Sequence, residues 1–194
     1  MKKFLFALFA LLFVTAQVSA EKLPVRIARL PIIFQGAQPD AETCVDLEMK
    51  FARAIHIPLN GSLKVAEYLP PVESAQVLNE LWQSMRARNK KVKIQEAMRP
   101  LAEKLDADLI ICPILRRYNQ NVSMGGYETY LSSDVSAELI IYDRRTDELV
   151  DKKTSRMYHD TMSGFGTASF LAKDCFDKLI DRTKLRQTIH SVGR

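Results

Sequence analysis

Seven consecutive residues that lack a charged or hydrogen-bonding side chain, Leu109 to Leu115, constrain the fold of this chain more than any other stretch. A strand with one face in water alternates apolar and polar residues, whereas an unbroken apolar run is typical of a strand covered on both faces. Residues Ile94–Leu105, immediately before the run, repeat apolar side chains at helical spacing. The sequence therefore predicts a helix that leads into a strand buried within a sheet.

Helices and strands are predicted to alternate before this run, and strands to follow one another after it. Apolar or alternating segments predict strands over residues 21–35, 62–69, 107–117, 135–142 and 149–159; helical spacing predicts helices over 41–56, 72–88 and 94–105 and after 167. The order is β-α-β-α-α-β-β-β-α. It predicts an α/β (α+β) fold with a single mixed sheet that has an antiparallel part, and with helices packed on it. Pro31 should bend or interrupt the first strand.

The first 20 residues have the pattern of a cleaved signal peptide. Lys2 and Lys3 form a positive start, the apolar stretch from Phe4 to Val14 follows, and small residues lead to a cleavage site after Ala20. The apolar stretch is shorter than the roughly 20 residues that a membrane span needs, although an uncleaved anchor is the alternative. No cysteine follows it closely, so the chain is not expected to be a lipoprotein. We expect a periplasmic or extracellular protein.

The remaining residues, 21–194, are predicted to form a single globular domain with a basic tail that frays after about residue 185. Hydrophobic residues make up 47% of the chain and charged residues 26%, which is ordinary for a globular protein. The net charge of +5 falls to +3 when Lys2 and Lys3 are removed. Acidic and basic residues are interspersed, so a nucleic-acid partner is not expected. No later segment resembles an integral membrane helix.

Three cysteines remain after cleavage: Cys44, Cys112 and Cys175. Export permits a disulfide. Cys44 and Cys175 fall on the apolar stripes of two predicted helices, and a bridge between them is possible if those helices pack side by side. Three free buried thiols are the alternative. No Cys-x-x-Cys or Cys/His pairing occurs, so we expect no metal site.

Two segments resemble envelope domains of the TolB amino-terminal and CsgG-like type. The first is Leu-Asp-Ala-Asp-Leu-Ile at residues 105–110, and the second runs from Leu139 through Tyr142-Asp143 to Val150. The order of predicted elements agrees from about residue 25 to 185. The resemblance implies an accessory or scaffolding role in the cell envelope, with protein partners and no catalysis. Members that form secretion channels or activate cell-wall enzymes are commonly lipoproteins, and this chain departs from them by having no lipid-acceptor cysteine.

Two features raise the question of a small-molecule or catalytic site. Gly164, Gly166 and Thr167 stand at the start of the last helix, where backbone N–H groups can hold an anion, although a capping turn is the simpler explanation. His159 precedes Asp160 near Ser163 and Ser169, as a serine hydrolase would require. Adjacent residues of a strand point to opposite sides, so the histidine and aspartate are poorly placed to pair. No enzyme activity and no cofactor are expected.

The segment from Asn119 to Ser133 is the favoured functional region. It is predicted to be a long glycine-bearing loop that carries Met124, Tyr127 and Tyr130, and exposed tyrosine and methionine suit a protein contact. A hairpin extension with buried aromatic residues is the alternative. The leading hypothesis is an exported, non-enzymatic envelope protein that acts as an accessory, scaffold or protein-binding module, with another envelope protein or itself as partner. A protein that binds a small anionic ligand at Gly164–Thr167 is the alternative.

A basic cluster closes the second predicted helix. It consists of Arg86, Arg88, Lys90, Lys91 and Lys93. Cations at the end of a helix complement its dipole, so a solvated helix terminus is the first interpretation. A patch that binds anions is the second.

Overall fold

The computed structural model describes residues 25–36, 39–55, 66–88 and 91–192, with side chains through Ile189. The predicted signal peptide, its cleavage site after Ala20, the first half of the predicted strand 62–69 and Lys90 lie outside these residues. No helix in the described residues is long and apolar enough to cross a membrane.

A single mixed sheet forms the centre of the structure, as predicted. Its strands are β1 (Val25–Arg29), β2 (Ile33–Phe34), β3 (Ala66–Leu69), β4 (Leu109–Gly125), β5 (Glu128–Asp143) and β6 (Glu148–Thr161). They lie in the order β3-β1-β4-β5-β6, and β2 also pairs with β4. The pairings of β1 with β3, β1 with β4, and β2 with β4 are parallel. The pairings of β4 with β5 and β5 with β6 are antiparallel.

Helices pack against the sheet. They are α1 (Ala41–Ala54), α2 (Pro71–Arg88), α3 (Ile94–Leu105), α4 (Ala168–Arg182) and α5 (Leu185–Val192), with a 3₁₀ turn at Gly164–Gly166. Asp40 caps α1, since its Oδ1 accepts a hydrogen bond from the Thr43 N–H at 2.8 Å. The tail predicted to fray after about residue 185 is helical, as α5, in the described part. Leu185 and Ile189 are buried one helical turn apart, and this apolar pair holds α5 on the core.

The two faces of the sheet carry separate hydrophobic cores. On one face α1, α4 and α5 pack on Leu109, Ile111 and Leu115 of β4. On the other, α2 and α3 pack on Ile110 and Ile114 of the same strand. The prediction that this apolar run is covered on both faces is thus confirmed. The chain passes from β1 to β3 in one direction and from β3 back past β1 to β4 in the other. Right-handed crossovers in opposite directions place their helices on opposite faces.

The first predicted strand is divided into β1 and β2 at residues 30–32, where Pro31 lies. Both parts pair with β4, β1 at Leu109–Ile111 and β2 at Ile114–Leu115. The expected interruption is therefore confirmed, and the strand resumes along the same neighbour.

The prediction of a loop from Asn119 to Ser133 is wrong. β4 and β5 continue as a paired hairpin through Gly125 and Glu128, and β6 accompanies β5 as far as Thr161. The extended parts of β4, β5 and β6 form a three-stranded ribbon, and a β-bulge lies where it begins. Leu115 pairs with Ala137 and Arg117 pairs with Ser136, so Arg116 between them is the extra residue. Beyond the bulge, even-numbered residues of β4 face α4, whereas odd-numbered residues did so before it.

Candidate partner-binding surface

The ribbon ends in a two-residue turn, Gly126-Tyr127, between the paired residues Gly125 and Glu128. Gly126 has φ +64°, and a Cβ there would meet open space. Glycine at the first central position suits the turns that match the twist of paired strands. The chain thus reverses tightly and leaves the Tyr127 side chain fully exposed.

The three predicted partner-binding residues lie near this turn but do not share one face. Met124 is 88% exposed on the side of the ribbon that faces α4. Tyr130 lies on the opposite side, where its ring packs over Gly125. The Tyr130 hydroxyl donates to Glu128 Oε2 at 2.8 Å, and this hydrogen bond raises the pKa of the tyrosine above its ordinary value. Of the alternative interpretation, a hairpin extension with buried aromatic residues, the hairpin is confirmed, whereas Tyr127 is exposed.

The segment that joins β6 to α4 brings further apolar side chains to the α4 side of the ribbon. The Met162 N–H donates to the Thr129 carbonyl at 2.8 Å, and the Ala168 N–H donates to Gln120 Oε1 at 2.7 Å. These two bonds tie both ends of the segment to the ribbon. Leu131 of the central strand is fully buried beneath it.

Five exposed apolar residues characterise this side, and we call them the tip surface: Val122, Met124, Met162, Phe165 and Phe170. The rings of Phe165 and Phe170 meet edge to face with centroids 5.2 Å apart. Phe165 is 72% exposed, although helical spacing places it on the inner face of the last helix. The reason is that it lies in the 3₁₀ turn before α4, so the helical spacing does not extend to it. In the sequence, the two-residue spacing of Val122 and Met124 was the signal that could have placed these two side chains on one face of a strand.

At the predicted anion site, Gly164, Gly166 and Thr167 form a capping turn in which four backbone N–H groups are engaged. The N–H groups of Gly166 and Thr167 bond the carbonyls of Ser163 and Gly164. The Phe170 N–H donates to Thr167 Oγ1 at 3.3 Å, and the Ala168 N–H is already engaged by the ribbon. A Cβ on Gly166 would lie 2.3 Å from the ring of Tyr158, so close packing requires the second glycine.

The residues of the hydrolase alternative are not brought together. His159 is exposed on β6 opposite Ser132. Ser163 Oγ accepts from the Phe165 N–H, and Ser169 Oγ accepts from Thr43 Oγ1 at 2.9 Å. In the described part of the chain no hydrogen bond joins the histidine to either serine. Nor do three His, Cys, Asp or Glu residues of that part cluster as metal ligands would.

The hypothesised disulfide between Cys44 and Cys175 is not formed, and Cys112 is also a free thiol. Cys44 lies beside the buried stripe of α1 rather than on it, and its Sγ approaches the Pro39 carbonyl at 3.7 Å. Cys175 is buried in the core, and burial raises its pKa to about 11. Burial also raises the pKa of Cys112.

Comparison with known proteins gives a likeness to solved structures alone. No family model matches the chain, and no curated protein does. The hypothetical protein CT253 from Chlamydia trachomatis is 13% identical, with 83% of this chain and 96% of that one covered and a TM-score of 0.45. The PelC dodecamer from Paraburkholderia phytofirmans is 14% identical (84% and 88% covered, TM-score 0.44). Lipoprotein GNA1162 from Neisseria meningitidis is 16% identical (83% and 99% covered, TM-score 0.37). Such distant similarity assigns no family, and the TolB and CsgG-like resemblance stays a prediction.

Proposed function

We propose that this chain is an exported, non-enzymatic component of the bacterial cell envelope that binds another protein through the tip surface. The observation that carries the proposal is the set of exposed methionine and phenylalanine side chains on the α4 side of the ribbon. Large apolar side chains in contact with water mark interaction sites when they are grouped. Aromatic residues and methionine are also enriched in protein–protein interfaces. The signal-peptide pattern supports export, and the family resemblance supports an accessory role.

The surface is held firmly enough to recognise a partner. Its strand residues belong to a hairpin with an unbroken register from Arg117 to Gly125, and its two phenylalanines are fixed by the bonds from Met162 and Ala168 to the ribbon. A partner that buries such residues pays little ordering entropy, because the backbone is already in place. The Tyr127 side chain at the turn is available at the border of the contact.

Affinity capture from solubilised envelope extract, with cross-linking, tests the proposal. The wild-type protein is compared with Met124→Ser/Phe165→Ser and with Met157→Ser. Met157 is 79% exposed on the other side of the same ribbon. Its replacement therefore removes an exposed methionine, as Met124→Ser does, but outside the tip surface. We expect the double variant to lose at least tenfold of the captured partner and the control to retain it. All three should unfold at the same temperature, since exposed substitutions change stability little.

A second copy of the chain is the other partner to examine. Sedimentation equilibrium of the wild type and the double variant shows whether the tip surface mediates self-association. Equal capture by all three proteins, together with identical sedimentation, contradicts the proposal. A separate Tyr127→Ala variant shows whether the turn contributes to the contact.

A further inference from the structure

A cleft of about 410 Å³ lies between β2 and α2, on the face of the sheet opposite α4. It exists because β3 pairs with β1 only as far as Ala28, where Leu69 ends the strand. Beyond Pro31 the outer edge of β2 has no strand beside it in the described residues, and α2 passes over the gap. Of the residues that the structure describes, eight line the cleft: Ile33, Phe34, Gln35, Leu78, Asn79, Trp82, Arg86 and Ile94.

Most of the wall is apolar. Ile33 and Phe34 come from β2, Ile94 begins α3, and Leu78 and Trp82 are one turn apart on α2. Trp82 is only partly buried against the core, so part of its indole forms the surface of the cleft. A concave apolar wall with a few polar groups is the usual form of a site for a small molecule.

Among the described lining residues, Arg86 is the cation. Arg86 follows Trp82 by one helical turn, and its guanidinium carbon lies 5.7 Å from the centroid of the Trp82 ring. Within the described residues, Arg86 has no carboxylate partner. The charge of Arg116, by contrast, is already paired with Glu138, and Arg116 also donates to Gln35 Oε1 at 3.1 Å. Of the basic cluster noted in the sequence, the structure thus places Arg86 in the cleft with its charge available.

Two amides complete the polar lining. The Gln35 oxygen accepts from Arg116, which leaves the Gln35 NH₂ group to donate. Asn79 is exposed on α2 beside Leu78 and contributes a second amide. A guanidinium and amide donors beside an apolar wall are complementary to a molecule with a planar anionic head and a hydrocarbon body.

We propose that this cleft binds a small monocarboxylate with an apolar body, of the medium-chain fatty acid class. The carboxylate pairs with Arg86, and the hydrocarbon chain lies along Trp82 and Ile33. At about 30 Å³ for each water displaced, the volume corresponds to about 14 waters, which accommodates a ligand of roughly a dozen non-hydrogen atoms. Decanoate is a probe of this size.

The chain contains one tryptophan, so indole fluorescence, excited at a wavelength where tyrosine does not absorb, reports on this cleft. Decanoate is titrated below its micellar concentration, beside decylamine, which has the same chain and the opposite charge, and acetate, which has the same head and no chain. We expect a saturable change with decanoate and none with the other two. Equilibrium dialysis with labelled decanoate measures affinity independently of the indole signal.

Arg86→Gln is compared with Arg88→Gln, which removes a neighbouring exposed charge that does not line the cleft. Loss of an arginine–carboxylate contact should weaken binding about tenfold in the first variant and leave it unchanged in the second. Asn79→Phe should block the cleft and abolish the response. Equal affinities for the two arginine variants, a response to decylamine as strong as to decanoate, or no saturable binding would each overturn the proposal. The Met124→Ser/Phe165→Ser variant should bind decanoate normally, which keeps this test separate from that of the tip surface.

Discussion

Gly166 shows how a single residue can suggest chemistry and serve packing. In the sequence it completes a glycine-containing helix start of the kind that binds anions. In the structure its Cα is covered by the ring of Tyr158, whose hydroxyl donates to the Thr161 carbonyl at 2.7 Å. The absence of a side chain at residue 166 therefore lets the segment before α4 lie on β6. Sequence spacing could not distinguish the two roles, because the ring that Gly166 packs against belongs to Tyr158, eight residues earlier on β6.

Gly166→Ala should destabilise the protein by about 1–3 kcal/mol, because the new methyl group overlaps the Tyr158 ring and forces a backbone shift. Gly164→Ala is the matched control, since a Cβ at that position meets no atom within 4 Å. Urea unfolding of both variants gives the comparison. Equal stability of the two would show that the close approach is relieved without cost.

The bulge in β4 is the element that joins the covered part of the sheet to the ribbon. Arg116, the extra residue, reaches Glu138, whose side chain is 0% exposed. Gln95 of α3 donates to the other oxygen of Glu138 at 3.0 Å, and Lys153 of β6 lies 3.6 Å from it. A buried carboxylate is tolerated only when it is paired and hydrogen-bonded. The bulge thus supplies the cation that this carboxylate needs.

Arg116→Gln should cost roughly 3 kcal/mol, because it leaves the Glu138 charge buried without its main partner. The control is Arg117→Gln, which breaks the exposed pair with Asp134 (2.5 Å) and should cost less than about 1 kcal/mol. Thermal and urea unfolding at neutral pH measure both. A smaller loss for Arg116→Gln than for Arg117→Gln would contradict the assigned role of the buried pair.

The success of sequence prediction also varied by element. The run Leu109–Leu115 identified the central strand because burial on both faces removes polar residues from it. The ribbon was only the alternative to a predicted loop, because it extends past the helices on one side, so its residues are polar and resemble a loop. α5 was missed because only Leu185 and Ile189 face the core within a basic segment. Of the predicted partner residues, Met124 and Tyr127 are exposed at the tip, but assigning faces beyond residue 116 requires knowledge of the bulge.

At the scale of the whole molecule, two cores on one sheet are closed by helices from distant parts of the sequence. α1 and α4 meet in the first core, where the Phe51 and Phe176 rings pack edge to face at 5.0 Å. Because these two helices meet, a contact between Cys44 of α1 and Cys175 of α4 was a reasonable expectation. The rotation of α1 prevents this, because it turns Thr43 and Leu47 inward and leaves Cys44 at the margin. Which strands pair, and in which direction, depends on such long-range packing and not on local periodicity.

Alkylation and intact mass measure the state of the cysteines in the whole molecule. At pH 8 the native protein should gain one adduct, on half-buried Cys44, because burial and a raised pKa protect Cys175 and Cys112. Unfolded without reductant, it should gain three. The Cys44→Ser variant should gain none when native and two when unfolded. A single adduct on the unfolded wild type would instead establish the Cys44–Cys175 bridge.

The length of the hairpin sets how far apart this protein can hold two contacts. From the bulge at Arg116 to Gly125 the strand runs nine residues, or about 30 Å at roughly 3.3 Å per residue. The cleft lies at the near end, since β2 pairs with Ile114 and Leu115, and Tyr127 lies at the far end. A macromolecule seated on the turn therefore leaves the cleft unobstructed. The proposed contact at the turn and the proposed ligand site in the cleft can therefore be occupied at the same time, by two molecules that do not touch each other.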